Sequence, residues 1–444
     1  MRFLRRLRSR TTALPCLVAV LLFAACVFSL SVDAQTLSTK ARFRLFDQVW
    51  KLIEDKYYDP TFHGVNWKSV GQSYRRQIAT ARTDAETYDL LKHMTGELHD
   101  AHTRYRSPAE RDRAKARQAT TPGISITEVE GQPVVSNVEA DSDAQRAGVE
   151  PGMIVTSIDG GLFPDRLKTI QLEVGASSSP RASALLSYYE LLAGEPGTAV
   201  RLTFLRADGS TLNVSLPRHL VSTAPPVTAR TVPSGYGYIK LNLFGDPAVK
   251  EFSAELARLR KASALIIDLR GNPGGDLAAI LHIAGHFFSS KVSFGRVITR
   301  SGKAPSLLLR ILGVPSQLSV GDSGGPIYEG PMVVLVNEAS GSAAEIFAAG
   351  MQEHRRALIV GRETCGCVLG SVAHTVKGGG ELDISEFAIV TGKDRTLEGS
   401  GVLPDIAVPL RLQDLRQHRD ATLTAAVAAL QSSPNLRTET SRHR

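Results

Sequence analysis

Short apolar runs alternate with helix-like segments between residues 236 and 410, and this alternation constrains the fold more than any other feature. ALIIDL, MVVLVNE and ALIVG are typical of buried strands. Between them lie LAAILHIAGHFF and SAAEIFAAGMQE, whose apolar residues recur with helical spacing. Strands that alternate with helices bury their apolar faces by forming a helix-covered sheet. We therefore predict an α/β fold for residues 228–412.

Other patterns flank this predicted core. Residues 35–118 are predicted to form a helical N-terminal region, which ends in a charged linker, AERDRAKARQ. One helix face there carries Phe46, Val49, Ile53 and Tyr57. Residues 119–222 contain short strands and glycine turns, as in GTAVRLTFLRADGS, and predict an inserted β-domain. Residues 413–444 are predicted to be a C-terminal helix, over LRLQDLRQHRDATLTAAVAALQ, and a frayed tail.

The first 34 residues have the pattern of a secretory signal peptide. A basic segment, MRFLRRLRSR, precedes an uncharged run, and small residues stand at the −3 and −1 positions of a cleavage site before Gln35. The uncharged run is also long enough to cross a bilayer, so an uncleaved membrane anchor is the alternative. A lipoprotein cut before Cys26 fits less well, because apolar sequence continues beyond that cysteine. We expect an exported protein, either periplasmic or secreted.

Charge and cysteine content argue against two classes of protein. The chain has a formal net charge of +8, of which five arginines and one aspartate in residues 1–34 supply +4. Beyond that segment no basic block interleaved with aromatic residues remains, so nucleic acid is not the implied partner. Of the four cysteines, only Cys365 and Cys367 lie outside the signal. That is too few for a fold held together by disulfides.

Two serines stand in surroundings typical of hydrolases. Ser323 lies in GDSGGP, a string found around the nucleophile of chymotrypsin-like proteases. Those proteases combine an all-β, two-barrel fold with a histidine in an AAHC-like stretch, and neither is predicted here, so an ordinary loop is the better interpretation. Ser342 follows MVVLVNE and opens a helical segment. Because Ser342-Ala-Ala-Glu345 matches a capping box, this serine could serve only as a helix cap.

A glycine-rich turn supplies a second element beside Ser342. DLRGNPGGD, from Asp268 to Asp276, follows a strand and precedes a helix, so it can present backbone N–H groups at the carboxyl end of that strand. Such turns also bind phosphate, but neither GxGxxG nor GK[ST] occurs, so nucleotide binding is a weak alternative. A serine at a helix start and a glycine turn together satisfy the needs of acyl transfer. The serine attacks, and N–H groups stabilise the oxyanion.

The predicted β-domain resembles a PDZ domain. GISI stands where such domains have their carboxylate-binding loop, and ALLSYYELLAG is similar to the helix that lines their peptide groove. Residues 163–180 are additional to the usual pattern. The resemblance implies that an extended peptide adds to the sheet edge and that backbone N–H groups cap its carboxylate. The implied peptide-binding residues are Gly123, Ile124, Ser125 and Ile126. A small β-domain without a ligand is the alternative.

Several segments in a specific order make the chain similar to C-terminal processing (tail-specific) proteases and their tricorn relatives. They are residues 43–108, the PDZ-like segment, DLRGNPGG, NEASGSAAEIFAAGMQEHRRALIVG and EGSGVLPDIAV. The resemblance implies a crotonase/Clp-like β/α protease core without a metal or organic cofactor. It implies Ser342 as nucleophile, with an oxyanion hole from the N–H groups of Ala343 and of Gly274 or Gly275. The implied partners are protein or peptide substrates, bound through their C-terminal tails.

The resemblance leaves the general base open. Lysine-type members carry it in a TFGKGS-like turn, and the corresponding turn here, TCGCVLGS, has Cys367 at the lysine's position. No lysine occurs between Lys303 and Lys377, and Lys377 would need a shifted turn. Tricorn-like members use a histidine and a glutamate, which correspond to His102 and Glu398. An imidazole has a suitable pKa and a carboxylate can orient it. The alternative is that His102 only forms a turn.

The pair Cys365 and Cys367 allows three interpretations. Free cysteines pack as small apolar residues at a strand end. In an oxidising compartment the pair could instead form an i,i+2 disulfide, which would be easily reduced and could act as a redox gate. A Cys367 thiolate could also be the catalytic group. A zinc site is not expected, because a second ligand pair is missing.

The sequence therefore predicts an exported serine endopeptidase of the tail-processing type, with Ser342, His102 and Glu398 as its catalytic residues. The rival is a PDZ-bearing pseudoprotease that binds tails without cutting them, because the usual lysine is missing. An α/β enzyme that binds a nucleotide or acyl-CoA is a third alternative. The sequence predicts neither the physiological substrate nor the oligomeric state.

Overall fold

The computed structural model describes residues 37–432 except 304, 306, 308–310, 312–313 and 322–325. The predicted signal peptide with its alternative anchor, the predicted tail after residue 432, and Ser323 of GDSGGP lie outside the described residues. Among the described helices, none is long and apolar enough to cross a membrane.

The helices are numbered in chain order. They are α1 (Thr39–Lys56), α2 (Trp67–Thr80), α3 (Asp84–Gly96), α4 (Pro108–Lys115), α5 (Asp143–Arg146), α6 (Phe163–Val174), α7 (Pro180–Leu192), α8 (Asp246–Leu259), α9 (Leu277–Gly285), α10 (Ala343–Glu353), α11 (Leu412–Arg416) and α12 (Ala421–Ser432). A short 3₁₀ helix, Phe62–Gly64, lies between α1 and α2.

The strands are numbered in the same way. They are β1 (Arg104–Arg106), β2 (Gln118–Thr121), β3 (Ile124–Val129), β4 (Gln132–Val138), β5 (Ile154–Ile158), β6 (Gly161–Leu162), β7 (Ala199–Leu205), β8 (Thr211–Pro217), β9 (His219–Ser222), β10 (Val227–Thr231), β11 (Gly237–Leu241), β12 (Leu265–Asp268), β13 (Val292–Thr299), β14 (Gln317–Val320), β15 (Met332–Val336), β16 (Leu358–Gly361), β17 (Leu369–Thr375), β18 (Glu381–Val390) and β19 (Ile406–Ala407).

The main sheet carries the predicted α/β pattern. Its strand order is β10-β11-β12-β15-β16-β19, and all neighbours after β10 run parallel. Every residue of β12 and β15 is buried, because helices cover both faces. On one face Ile267 and Val334 pack with α8, α9 and α10; on the other Ile266 and Val333 pack with α12. The predicted α/β class is confirmed.

The N-terminal helices form a separate apolar cluster, as the helical spacing predicts. Phe46, Val49 and Ile53 on α1 are buried in it together with residues of α2 and α3. The hydroxyl of Thr83 caps α3 by accepting the N–H of Glu86 at 3.1 Å. This cluster extends to Val376 and to residues of β18, so the N-terminal region packs against the α/β part.

Two local predictions are wrong. The expected charged linker after Ser107 is helix α4, because Ser107 and Glu110 form a capping box around Pro108 at the first helical position. The expected single C-terminal helix is divided into α11 and α12. Asp420 starts the second helix by accepting the N–H of Leu423 at 2.9 Å.

Residues 124–217 form a separate sheet in the order β3-β4-β5-β7-β8, with β6 beside β5. Its core includes Val135, Val200 and Phe204, which are fully buried. The additional residues 163–180 form α6 and the loop that enters α7. Strand β3 is at the edge of this sheet, and α7 packs beside it.

A further sheet, in the order β1-β18-β13-β14 with β17 on β18, joins distant parts of the chain. Strand β1 pairs antiparallel with β18 through Arg104 and Asp383. Just before β1, Thr103 accepts the N–H of Ser385 at 3.1 Å. The turn that contains His102 is thereby attached to the core by residues about 280 positions away in sequence.

Candidate active site

Ser342 lies between β15 and α10, directly before the first residue of the helix. Its φ and ψ angles are 53° and −117°, a conformation that non-glycine residues rarely adopt and that the surroundings must hold in place. The N–H of Ser342 donates to the carbonyl oxygen of Cys367 at 2.9 Å and to Oε2 of Glu345 at 3.0 Å. A serine on a strained strand-to-helix turn is well placed to present its hydroxyl as a nucleophile.

Glu345 ties the turn of Ser342 to the turn at residues 364–367. Its buried carboxylate also accepts the Thr364 hydroxyl at 2.6 Å and the N–H groups of Gly366 and Cys367 at 2.7 and 2.9 Å. Burial raises the pKa of Glu345, and the hydrogen bonds act in the opposite direction. The sequence indicates Glu345 only as a capping-box partner. Its hydrogen bonds to the turn at residues 364–367 are seen only in the tertiary structure.

Gly274 lies against the Ser342 turn and Gly275 against the backbone of Phe244, both in conformations that favour glycine, with φ of 110° and 128°. A methyl group would lie 2.6 Å from Cβ of Ser342 at the first position, and 1.9 Å from a backbone carbonyl oxygen at the second. The N–H of Gly274 donates to Oδ1 of Asn272 at 2.8 Å. Within the described part of the chain, the N–H groups of Gly275 and Ala343 have no hydrogen-bond partner.

Arg270 connects the start of the glycine turn to the C-terminal helix. Its guanidinium donates to Asp268, at the end of β12, at 2.5 to 3.0 Å. It also donates to both oxygens of Asp420, just before α12, at 2.8 and 2.9 Å. The hydroxyl of Tyr238 completes the network by donating to Asp268 at 2.6 Å. The turn that carries the glycines is therefore fixed by charged hydrogen bonds at its base.

The sulfurs of Cys365 and Cys367 are bonded to each other. Of the three interpretations of this pair, the disulfide is therefore the correct one, and neither free packing nor a Cys367 thiolate describes the bonded pair. Both cysteines are buried, with Ala182 of α7 and Ala101 of the N-terminal region packed against them. The bridge lies where three regions of the chain meet.

Lys377 is not near this turn, which argues against it as the fallback base. It lies in the connection between β17 and β18, where its N–H donates to Gln48 of α1. The seven residues of β17 separate it from Cys367, a distance of about 20 Å in extended chain.

His102 lies in the turn between α3 and β1. The turn is formed by Asp100, whose Oδ1 accepts the N–H groups of His102 and Thr103 at 2.6 and 2.8 Å. The imidazole is therefore not what forms the turn. Its Nδ1 atom is buried and has no hydrogen-bond partner among the described residues. Burial lowers the pKa of His102, against the opposing effect of Asp100, so the ring is neutral at neutral pH.

Glu398 lies beside the disulfide turn. Its Oε2 accepts the N–H of Val368 at 2.5 Å, and the hydroxyl of Ser178 lies beside the carboxylate. Burial raises the pKa of Glu398 to about 7, with repulsion from Asp100 and Glu345 acting in the same direction. The group is thus poised to change charge near neutral pH.

Ser178 lies between Glu398 and the turn of His102. Its hydroxyl oxygen accepts the N–H of Ala101 at 3.0 Å, and the hydroxyl lies beside the Glu398 carboxylate. The turn at residues 364–368 is contacted by Ser342 at Cys367, by Glu398 at Val368, and by Ala101, the residue before His102, at the disulfide. Sequence reasoning missed Ser178. The serine run before Pro180 predicts only a helix cap there.

The predicted peptide-binding residues lie at the start of edge strand β3. Gly123 has a φ of 82° and its N–H donates to Oγ1 of Thr121 at 2.9 Å, so that donor is already in use. Ile124 and Ile126 are buried, and Ser125 between them is exposed. Strand β3 is an edge strand of its sheet, and α7 packs beside it.

No group of three or more His, Cys, Asp or Glu residues with a metal-binding arrangement occurs in the part of the chain that the structure describes.

Comparison with known families matches two segments of the chain. Residues 235–408 match Peptidase family S41, and residues 40–96 match the Tricorn protease C1 domain. Residues 235–408 thus carry the sequence pattern of Peptidase family S41. Together with the processing proteases described below, this match makes the chain a serine-type peptidase, and its predicted resemblance to processing proteases and their tricorn relatives is confirmed. Neither matched segment includes residues 97–234, which contain the separate β3–β8 sheet.

The similar curated proteins include carboxyl-terminal-processing proteases. A carboxyl-terminal-processing protease of Synechocystis sp. is 28% identical, and the alignment covers 82% of this chain and 80% of that protein. The chloroplastic carboxyl-terminal-processing peptidase 3 of Arabidopsis thaliana is 26% identical, with coverage of 82% and 68%.

Solved structures share the fold. The photosystem II D1 C-terminal processing protease matches with a TM-score of 0.57 and 22% identity, over 89% of this chain and 99% of that one. Mature CPAF matches with a TM-score of 0.67 and 16% identity, over 89% and 98%. The S41 fold thus extends over most of the chain.

Proposed function

We propose that this chain is an exported, tail-processing serine endopeptidase in which Ser342 attacks the peptide bond. The observation that carries the proposal is the strained turn of Ser342, held against Gly274, where no side chain would fit. The names of the relatives support carboxyl-terminal processing as the reaction. Cys367 takes the place of the lysine found in lysine-type members, and because its sulfur is bonded to Cys365 it is not a base.

His102 is the general base in this proposal. Its neutral, half-buried imidazole has a buried, unpaired Nδ1 atom, and Asp100, rather than the ring, forms the turn. Both features favour catalysis over a role in turn formation alone. The imidazole accepts the Ser342 proton as the hydroxyl oxygen attacks the scissile carbonyl carbon, and it later delivers that proton to the leaving amine. Glu398, when ionised, stabilises the imidazolium that forms between these steps.

Ala343 and Gly275 supply the oxyanion hole. Ala343 follows Ser342 directly and Gly275 follows Gly274, which packs against Ser342; the N–H groups of Ala343 and Gly275 have no partner among the described residues, whereas Gly274 already donates to Asn272. Two unpaired donors beside the nucleophile stabilise the negative charge on the tetrahedral intermediate. The proposal therefore selects Gly275 from the two predicted glycines.

Residues 119–222 act as a PDZ domain that recruits substrate tails. A peptide adds to the open edge of β3 beside α7, and N–H groups at Ile124, Ser125 and Ile126 bind its carboxylate. The loop before α7 also reaches the catalytic centre, since Ser179 donates to the carbonyl of Cys365. The disulfide supports export, because such bonds persist in oxidising compartments.

The test uses a fluorophosphonate probe and a pair of peptides that differ only at the C-terminus, free in one and amidated in the other. Ser342→Ala should remove both probe labelling and cleavage, and Ser323→Ala is the matched control that should retain both. The free peptide should be cut faster. Equal cleavage of the two peptides would contradict tail recruitment, and tail binding without any Ser342-dependent cleavage would establish the pseudoprotease instead.

A further inference from the structure

The Cys365–Cys367 disulfide is part of the nucleophile's own support. It encloses a single residue, Gly366, so it closes a very short loop. Chain-entropy stabilisation by a disulfide grows with loop length and is small here. The bridge therefore constrains the local turn far more than it stabilises the whole protein.

The backbone of this bridged turn contacts the Ser342 turn at four points. The carbonyl oxygen of Cys367 accepts the N–H of Ser342 at 2.9 Å, and the N–H of Cys365 donates to Ser340 at 3.0 Å. The N–H groups of Gly366 and Cys367 donate to Glu345, which in turn accepts the N–H of Ser342. Any displacement of the bridged turn is thus passed to the backbone of the nucleophile.

Reduction forces the two sulfurs apart. Bonded sulfurs lie about 2 Å apart, whereas unbonded heavy atoms need roughly 3.5 to 4 Å. The turn itself is closely packed, since a methyl group at Gly366 would meet the backbone of Gly399 at 3.0 Å and Cβ of Ser179 at 3.2 Å. Because only Gly366 separates the two cysteines, the change in sulfur separation acts directly on this turn.

We propose that Cys365–Cys367 is a redox modification site that switches hydrolysis on when oxidised and down when reduced; this inference rests on the proposed function. The reactant is a dithiol. One of its thiolates attacks a sulfur of the bridge and forms a mixed disulfide. Its second thiol then displaces the protein sulfur, and two electrons pass to the protein. The products are two protein thiols and an oxidised dithiol.

Reduction lowers activity because the nucleophile loses its geometry. Displacement of a reacting group by about 1 Å can cost on the order of 100-fold in rate. We expect a loss of about 10- to 100-fold in kcat with little change in thermal unfolding, because the bridge closes so short a loop.

The experiment uses the full chain with Cys16 and Cys26 changed to Ser, so that thiols arise only from the pair. The protein is treated with dithiothreitol, alkylated and weighed to count free thiols, and assayed for peptide cleavage and probe labelling of Ser342. Oxidised glutathione then restores the bridge in a second aliquot. The control is the additional double variant Cys365→Ala/Cys367→Ala, whose activity should not respond to the dithiol.

The expected result is a reversible loss of cleavage and labelling that follows the appearance of two thiols, with retained thermal unfolding. Full activity of the doubly alkylated protein would overturn the switch and leave the proposed function intact. Loss of activity through unfolding would show a merely structural bridge and would also overturn the switch. Protein inactive in both states would overturn the proposed function, and the switch with it. The redox cycle of the parent protein decides the matter even if the double variant does not fold.

Discussion

The N–H of Ser342 donates to two acceptors, whereas the Nδ1 atom of His102 is buried without a partner among the described residues. We call Ser342, Glu345 and residues 364–367 the nucleophile side, and residues 100–103 with Glu398 the base side. The nucleophile side is rich in hydrogen bonds, and Glu345 alone accepts four. The base side has a neutral imidazole with an unpaired nitrogen and, in Glu398, a carboxyl whose pKa is about 7. The first side fixes geometry, and the second stays ready to exchange protons.

If this division is correct, His102→Ala should have the largest effect. It removes the group that accepts the Ser342 proton, so kcat should fall by about 10³- to 10⁴-fold. The free energy of unfolding should change by only about 1 kcal/mol, since the ring makes no hydrogen bond at Nδ1. Steady-state cleavage and urea unfolding measure the two quantities. The exposed His93 on α3 provides the control, His93→Ala, which should be silent in both.

Glu345→Gln should lower both stability and activity, whereas His102→Ala should lower mainly activity. The Glu345 carboxylate accepts hydrogen bonds at both oxygens, whereas the amide of glutamine places an NH₂ group at one of these positions. Buried N–H groups there lose their acceptor, so the free energy of unfolding should fall by about 1 to 3 kcal/mol. Because Ser342 shifts with them, kcat should fall by roughly 10- to 100-fold. Activity and stability are measured on the same preparation. A loss of activity with unchanged stability would contradict the division, because the nucleophile side would then behave like the base side.

Glu398→Gln should change pH dependence. With a folded pKa of about 7 against an ordinary value of about 4.3, the folded state binds the proton more tightly. Stability should therefore fall as pH rises from about 4.5 to 7, by on the order of 3 kcal/mol, and the variant should lack this fall. In the parent protein, the cleavage rate should fall on the acid side with a midpoint near pH 7. In the variant this midpoint should move down towards the lower pKa of His102, and the maximal rate should be reduced. Identical pH profiles in both proteins would argue against Glu398 as a catalytic partner.

The smallest effect is expected for Lys377→Ala. The lysine lies at the far end of β17 from the disulfide turn, so cleavage rates should stay within about twofold of the parent. Its N–H bond to Gln48 is made by the backbone and survives the substitution. A large loss of kcat without a loss of stability would bring the lysine back as the base and would remove the case for His102.

The two sides also differ in how far the sequence predicts them. Ser342, Glu345 and the glycine turn lie at the ends of long, strongly periodic segments, so strand and helix periodicity places them correctly. The base side depends on the pairing of β1 with β18, about 280 residues apart, and local sequence carries no signal for that register. Ser178 was missed for the same reason, because its partners Ala101 and Glu398 come from distant segments.

Two differences between the sequence predictions and the structure have local causes. AERDRAKARQ has a strongly charged composition typical of a linker, yet its first turn has a complete capping box, which outweighs the missing apolar face. The disulfide could not be selected from the sequence, since two cysteines one residue apart fit bonded and free states equally well until the surrounding turn is known.

The ion pair between Arg270 and Asp420 has a consequence for the order of events during biosynthesis. Asp420 precedes α12, which covers one face of the main sheet, and the same arginine secures the glycine turn beside Ser342. A ribosome that has made Ser342 has not yet made Glu398, Asp420 or the covering helix. On the proposed mechanism, catalytic competence therefore arrives only after the ribosome has passed α12, well after Ser342 itself, and a chain that stops earlier lacks groups that complete the site.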